Sequence, residues 1–223
     1  MPVTIEAISK LRYFVGLEQR QFVVIAQLFS QKVYMKGQPI LAEGDRDETF
    51  HFVNSGVVKV FKTSPEGKEQ IVKIIRPGES FNDVTVFSRG PCPYSAEALG
   101  NPTVIYLISK TNLMPFIEKN LKIAQNALEI MAEQERITLT LIEDLSFKNV
   151  VGRVAKILLK NLEPGPDGFP KLTQYEMAAM AGTAREVVGR SLKGLEDLGA
   201  IRLEKHRIVI IDKKRLYQLA GMN

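Results

Sequence analysis

The sequence predicts an α+β protein in which a long helix joins a β-rich domain to a small helical one. Residues 32–109 contain short apolar runs separated by glycines, with turn signals roughly every 8–12 residues, a spacing typical of an all-β barrel or sandwich. After residue 110 an apolar repeat of three and four residues indicates a helix of many turns. Beyond residue 147, two helix starts and two short strands indicate a compact helical domain with a β-hairpin.

Composition excludes several classes of protein. With 223 residues and 45% apolar side chains, the chain is long enough for a proper core, and its single cysteine rules out an internal disulfide framework or a multi-cysteine metal site. We find no secretory leader and no apolar run near the ~18 residues of a membrane span, so we expect a cytoplasmic protein with no membrane partner. No phosphate loop, nucleophile elbow or histidine-rich metal spacing is present, and we therefore expect no enzyme activity.

The net charge of +5 is unevenly distributed. Residues 1–147 carry 16 basic and 17 acidic side chains, a net charge of −1, whereas residues 148–223 carry 14 and 8, a net charge of +6. A basic domain of this size suits a polyanion such as double-stranded DNA, although a solvated surface could give the same count.

The elements follow in order along the chain. Residues 4–29 have helical spacing, and the Val57–Phe61 run with the SPEGKEQ turn predicts one hairpin of the β-rich domain. The long helix carries a coiled-coil pattern with two polar interruptions, which predicts a homodimer seam in preference to a helix packed only on its own barrel. The seam positions are Leu121, Ala124, Leu128, Met131, Glu135, Thr138, Ile142 and Leu145. We place the domain boundary near Phe147, before a helix over 150–162 and a proline-rich loop over 163–171.

Two T-x-x-E motifs, Thr173–Glu176 and Thr183–Glu186, predict capping boxes that start two consecutive helices. Gly182 stands between them, where a tight turn can require positive φ, so the pair predicts a helix-turn-helix whose second helix runs from Ala184 to about Leu198. The GAIRLEKHRIVIID segment then predicts a β-wing.

Three charged side chains remain near the exposed start of the second helix: Arg185, Glu186 and Arg190. Arginine bonds guanine in a bidentate manner and glutamate accepts from cytosine, so these residues are predicted to read bases in a major groove. The alternative is that Glu186 only caps the helix and the arginines only bind phosphate. The predicted phosphate contacts are Thr173, Thr183, Lys193, Lys205, His206 and Arg207.

The whole chain resembles the CRP/FNR family of bacterial transcription regulators. The resemblance rests on the REVVGRSLKGLEDLGAI stretch and on the order of barrel, long helix and wing. The resemblance implies a jelly-roll, cyclic-nucleotide-binding-like effector domain over 1–110, a dimerisation helix and hinge over 111–147, and a winged helix-turn-helix over 148–223. It also implies a regulator that contacts RNA polymerase, with an activator expected and a repressor left open. It matches Arg185, Glu186 and Arg190 to the base-reading positions of the cyclic-AMP receptor branch.

The resemblance also points to an effector pocket around FNDVTVFSRGPCPYSAEA (81–98), and there this chain departs from the cyclic-nucleotide pattern. Asn82-Asp83 stands where that branch has Gly-Glu, and Tyr94-Ser95 stands where it has Arg-Ser. The arginine that would neutralise a cyclic phosphate is missing, so cyclic AMP is disfavoured. The pocket residues implied are Phe81, Asn82, Asp83, Val84, Arg89, Tyr94, Ser95 and Thr138.

The effector itself stays open. Haem is an alternative because some relatives bind it, yet only His51 and His206 are histidines, and we expect His51 to be a packed or exposed strand residue. Cys92 is a candidate redox switch, although a lone thiol is usually inert. A regulator without a ligand, and a ligand-binding module that contacts protein instead of DNA, are the remaining alternatives.

Overall fold

The computed structural model describes residues 3–88, 90–161, 172–205 and 207–222. Arg89, His206 and the expected loop over 163–171 lie outside the described residues. The chain forms two compact units, one extending to Lys62 and resuming over Lys73–Arg136, the other comprising Thr63–Val72 and the chain from Ile137 onward. The last turns of the long helix thus belong to the C-terminal unit, whereas the sequence placed the boundary near Phe147.

The N-terminal helices begin at local capping interactions. The Thr4 hydroxyl accepts a hydrogen bond from the Ala7 N–H at 3.3 Å, which starts helix α1 (Ile5–Ser9). Glu18 and Gln21 form a reciprocal capping box that starts helix α2 (Gln19–Ala26). Between these helices lies one turn of 3-10 helix, Arg12–Phe14.

Eight strands form the β-roll domain as two four-stranded sheets, which confirms the expected β-rich class. Their orders are β1-β8-β3-β6 and β2-β7-β4-β5, so strands that are neighbours in space are mostly distant in sequence. The expected hairpin is present as β4 and β5. The strands are β1 (Ser30–Tyr34), β2 (Pro39–Leu41), β3 (Thr49–Ser55), β4 (Val58–Thr63), β5 (Glu69–Ile75), β6 (Ser80–Phe81), β7 (Ser95–Ala98) and β8 (Thr103–Ser109).

An aromatic cluster fills the core of this domain. The Tyr13 ring lies 5.4 Å from that of Phe52 in an edge-to-face arrangement, and Phe14 lies 5.6 Å from Phe52. All three side chains are fully buried. The N-terminal 3-10 turn is therefore part of the β-roll core, because its aromatic side chains pack against β3.

The long helical stretch is two helices: α4 (Lys110–Lys119) and α5 (Leu121–Phe147). They separate at Asn120, whose backbone is extended (φ −129°, ψ 93°). The sequence predicted one helical stretch here, and the residues expected to form the seam all lie within α5. Between β6 and β7 the β-roll carries one short helix, α3 (Asp83–Ser88).

The C-terminal unit contains the expected winged helix-turn-helix. Apolar side chains from its helices form one core that includes Leu158, Val188 and Leu216. No described helix is long and apolar enough to cross a membrane. The elements are α6 (Val150–Asn161), α7 (Gln174–Ala181), α8 (Arg185–Asp197), β9 (Ile201–Glu204), β10 (Arg207–Ile210) and α9 (Lys213–Leu219).

Candidate nucleic-acid interface and effector site

The first capping box holds the start of helix α7. The Thr173 hydroxyl accepts from the Glu176 N–H at 3.1 Å, and the Glu176 carboxylate accepts from the Thr173 N–H at 2.6 Å. Helix α7 ends at Gly182, whose left-handed backbone (φ 63°, ψ 42°) confirms the predicted turn. The predicted helix-turn-helix is thereby confirmed at Gly182, where the turn requires a left-handed backbone.

The second predicted capping box is wrong. Helix α8 has Ala184 at its N-cap and no side-chain cap, because Thr183 lies one residue too early to accept from the helix start. The Glu186 carboxylate is therefore not used in a reciprocal cap. This removes the alternative in which Glu186 serves only to cap α8.

Helix α8 has one buried and one exposed side. Val188, Leu192 and Leu195 are at most 2% exposed and pack in the core of the C-terminal unit. Arg185, Glu186 and Arg190 are exposed at the other side, and no ion-pair partner engages these three within the described chain. Three long charged side chains can thus meet a partner without first breaking an ion pair.

The predicted phosphate contacts lie around this helix. The wing is the antiparallel pair β9–β10, in which Glu204 opposes Arg207, and Lys205 is exposed at its turn. Arg207 pairs with Glu204, and Lys193 lies 2.9 Å from Glu196. Exposed pairs of this kind contribute about 0–1 kcal/mol, so phosphate oxygens can replace the carboxylates. Of the two threonines, Thr173 is exposed with its hydroxyl in the α7 cap, and Thr183 is half-buried.

In the β-roll, Asn82 and Tyr94 are joined to each other. The Asn82 backbone N–H donates to the Tyr94 hydroxyl at 2.8 Å, and the Asn82 amide donates to the carbonyls of Asp47 and Thr49 at 2.7 and 2.9 Å. Asn82 is fully buried and holds a left-handed backbone with φ of 70°, which non-glycine residues rarely adopt. The start of α3 is thus fixed by the protein's own groups.

Asp83 lies beside this pair and is 7% exposed. Its carboxylate accepts from the Ser80 hydroxyl at 2.9 Å. Burial raises the pKa of Asp83 to about 6, although the Ser80 hydrogen bond, Lys73 and Tyr13 oppose the rise. The Asn82 Oδ1 atom is buried and has no hydrogen-bond partner among the described residues.

The other described residues of the predicted pocket differ in burial. Ser95 accepts from the Glu43 backbone N–H at 3.1 Å, and Phe81 is buried against the His51 ring. Val84 and Thr138 are exposed. The role of these residues in holding an effector stays a prediction.

His51 and Cys92 are both buried. His51 is 3% exposed, its Nδ1 lies 2.9 Å from the Thr49 carbonyl, and burial lowers its pKa to about 4, which confirms a packed strand residue. The Cys92 thiol is 1% exposed and donates to the Tyr94 carbonyl at 3.1 Å. Burial raises the pKa of Cys92, so the thiol is protonated at neutral pH, the unreactive form.

Helix α5 has two apolar sides. Ile123, Ala127 and Ile130 are at most 5% exposed and pack in the β-roll core. The predicted seam lies on another side, where Leu128 is 67% exposed and Ile142 54% exposed. Of the other seam residues, Leu121, Met131, Glu135 and Thr138 are exposed, and Ala124 and Leu145 are half-buried.

The fold and the α8 surface are those of a winged helix-turn-helix transcription regulator with an N-terminal β-roll domain. Sequence models of two domains match the chain: the Cyclic nucleotide-binding domain over residues 31–120 and the Crp-like helix-turn-helix domain over residues 152–219. The chain belongs to the CRP/FNR family of transcription regulators, whose members bind DNA and are not enzymes.

Individual relatives agree with this assignment. The Cyclic AMP receptor protein of Thermus thermophilus is 29% identical over 93% of this chain and 95% of its own length. The CRP-like cAMP-activated global transcriptional regulator of Mycobacterium tuberculosis is 28% identical over 96% and 99%. The structure of FixK2 from Bradyrhizobium japonicum, 24% identical, shares the fold with a TM-score of 0.74 over 86% of this chain and 96% of that one.

Sequence reasoning missed the polar groups beneath α3. Tyr13, Lys73 and Ser80 surround Asp83, yet Tyr13 is distant in sequence, and Lys73 reads as an ordinary polar strand position. No local pattern marks them, because only the folded β-roll brings the 3-10 turn, β5 and β6 to one carboxyl group.

The raised pKa of Asp83 gives a testable pH dependence. The folded chain keeps this proton up to pH about 6, whereas the ordinary value is 3.8, so its contribution to stability falls as pH rises through that window. We expect Asp83→Asn to raise the free energy of unfolding at pH about 8 by about 1–3 kcal/mol, with the gain shrinking at lower pH. Urea unfolding between pH 5 and 8 measures this, with exposed Glu118→Gln as the control. A difference that does not vary with pH would contradict the raised pKa.

Proposed function

We propose that this regulator acts as a homodimer that reads a palindromic DNA site and is controlled by an effector other than cyclic AMP. The observation that carries the proposal is the exposed triad Arg185, Glu186 and Arg190 at the start of α8, with no ion pair to occupy it within the described residues. We also propose that it regulates transcription by contacting RNA polymerase.

The triad has the chemistry of direct readout. Each arginine offers a planar pair of donors to O6 and N7 of guanine, and Glu186 offers an acceptor to N4 of cytosine. Because the N-terminal residues of a recognition helix approach the base edges, the position of the triad on α8 suits this role. The combination favours a G·C-containing half-site of the TGTGA type.

The wing supplies the second kind of contact. Lys205 and Arg207 extend from the β9–β10 turn region and are exposed, which suits sequence-independent contact with phosphate. Phosphate contacts set the position of the protein on the duplex, and the α8 triad sets the preferred sequence. The two kinds of residue should therefore respond differently to substitution.

The dimer is proposed on the exposed apolar side of α5. Leu121, Leu128 and Ile142 are more than half exposed in the single chain, although the helix already buries its other apolar side in the β-roll. Spacings of three and four residues align these positions along one stripe, as in a two-stranded coiled coil. A second copy of α5 in parallel register covers the stripe and gives the two-fold symmetry that a palindrome needs.

Cyclic AMP is disfavoured because polar groups at the positions that would contact the nucleotide are hydrogen-bonded to other groups of this chain. The Asn82 N–H donates to Tyr94, the Ser95 hydroxyl accepts from the Glu43 N–H, and no fixed guanidinium is present among the described residues of the segment 81–98. The buried Asp83 carboxyl would repel a cyclic phosphate whenever it is ionised. Some relatives are named as cAMP-activated, and we propose that this chain differs from them in the segment 81–98.

The dimer proposal is tested with Leu128→Asp and Ile142→Asp combined. Two charges in the apolar stripe should give monomers and abolish binding to the palindrome, because a buried unpaired carboxylate is costly. Analytical ultracentrifugation measures the mass. The control is Ile137→Asp, an exposed apolar residue of α5 outside the stripe. If the double variant still sediments as a dimer, the seam lies elsewhere.

The effector proposal predicts no calorimetric binding of cyclic AMP at micromolar concentration and neutral pH. Tyr94→Arg supplies the missing guanidinium and frees the Asn82 N–H, so any affinity for the nucleotide should appear first in that variant. Tyr94→Phe, which frees the same N–H without adding a cation, is the matched control. Micromolar binding by the unmodified chain would contradict the proposal.

The base-reading proposal predicts different losses in two variants. Arg190→Ala should lose discrimination at one guanine, about 1–3 kcal/mol, whereas Lys205→Ala should weaken all sequences alike and lower the salt slope by about one unit. Site selection should return half-sites about 10 bp apart centre to centre for the unmodified chain. If Arg190→Ala selects the unchanged motif, the triad binds phosphate and does not read bases.

A further inference from the structure

A buried ion cluster joins the end of α5 to the start of α6. One oxygen of the Asp144 carboxylate lies 3.0 Å from Lys148 Nζ, and the other contacts Lys156 Nζ. Asp144 and Lys156 are each 9% exposed. Asp144 is on α5 and Lys156 is on α6, so the carboxylate bridges the two helices across the break at residues 148–149.

The guanidinium of Arg153, on α6, also contacts the end of α5. We call the contacts of Asp144, Lys148, Arg153 and Lys156 together the joint between the two helices. The guanidinium donates to the Lys148 carbonyl at 2.7 Å and lies 3.4 Å from the carbonyls of Asp144 and Leu145. The last carbonyls of a helix have no partner within the helix, and here a side chain of α6 supplies one. On the α6 side, the Asn149 side chain accepts from the Gly152 N–H at 2.8 Å and caps the helix.

This cluster is a costly way to join two helices. Burial alone would raise the pKa of Asp144, yet the hydrogen bonds from Lys156 and Lys148 outweigh it, and the pKa lies below its usual value. An apolar pair of similar volume commonly gives equal stability without the desolvation of charges. What the ion cluster adds is directionality, since each carboxylate oxygen contacts a separate amine.

Helix α6 transmits whatever orientation the joint gives it. It packs against α7, α8 and α9, and its buried residues Val154 and Leu158 belong to the same core as Val188 of α8. A change in the angle between α5 and α6 therefore changes the angle at which α8 is carried. The end of α5, α6 and α8 all belong to the C-terminal unit.

We propose that Asp144 is a positioning residue for DNA binding, which fixes α6, and with it α8, relative to the end of α5. The inference rests on the proposed dimer, because the α5 helices would then set the distance and rotation between the two α8 helices. A firm joint makes the dimer prefer one half-site spacing. A loosened joint lets each α8 find its half-site over a range of spacings.

The test compares Asp144→Asn with Glu143→Gln. The two variants remove one negative charge at adjacent positions of α5, but Glu143 is exposed and outside the cluster, so any general electrostatic gain in DNA affinity is common to both. Binding is measured on palindromes taken from site selection, with the half-site spacing changed by one base pair in either direction. Sedimentation and thermal unfolding are measured on the same samples.

We expect Asp144→Asn to remain a dimer and to lose about tenfold of its preference for the best spacing, a factor that corresponds to a coupling of about 1.4 kcal/mol. Glu143→Gln should keep the preference, and so should Lys156→Arg, which retains the cation. Equal spacing preference in Asp144→Asn and the unmodified dimer overturns the inference.

Lys156→Gln serves as the second variant, because it removes the other partner of the bridge while leaving Lys148. If it folds and keeps the full preference, the inference also fails. If neither variant folds, Asp144 holds the fold and is not a positioning residue. An unmodified chain that sediments as a monomer or binds no palindrome contradicts the proposed dimeric function itself, and this is visible before any variant is compared.

Discussion

Helix α5 carries apolar side chains on two sides, and much of the molecule depends on this arrangement. Ile123, Ala127 and Ile130 pack in the β-roll core, and the Asn126 side chain donates to the Tyr13 and Val15 carbonyls at 3.0 and 2.9 Å. These bonds also hold the N-terminal segment on the domain. The second side, with Leu128 exposed, is left for another surface to cover. A helix that served only its own domain would need one apolar side.

The β-roll has the fold of its family and a set of buried polar contacts around α3. The start of α3 is held by Asn82 and Tyr94, and Asp83 lies in a polar cluster with Ser80. Buried polar groups need partners, and here the protein supplies most of them from its own side chains. The Asn82 Oδ1 atom is a buried acceptor for which the described residues supply no donor.

The C-terminal unit combines the exposed surface of α8 with an ion cluster that joins α5 to α6. Gly182 permits the tight turn between α7 and α8, and the apolar side of α8 fixes which of its residues are exposed. The Asp144 carboxylate links α5 to α6 through its contact with Lys156. For the proposed dimer we expect two sources of specificity, the bases that α8 contacts and the geometry in which two copies of α8 are presented.

The sequence by itself determined the element types, the Thr173 capping box, the Gly182 turn, the wing and the α5 stripe, because each depends on residues within a few positions of one another. Only the tertiary structure decided that Thr183 does not cap α8, since the path of the turn sets which residue becomes the N-cap. The cluster around Asp83 and the Asp144–Lys156 bridge were likewise beyond sequence reasoning. Their members are brought together by strand order and helix packing, and a charged or polar residue in isolation gives no sign of whether it will be buried beside a partner.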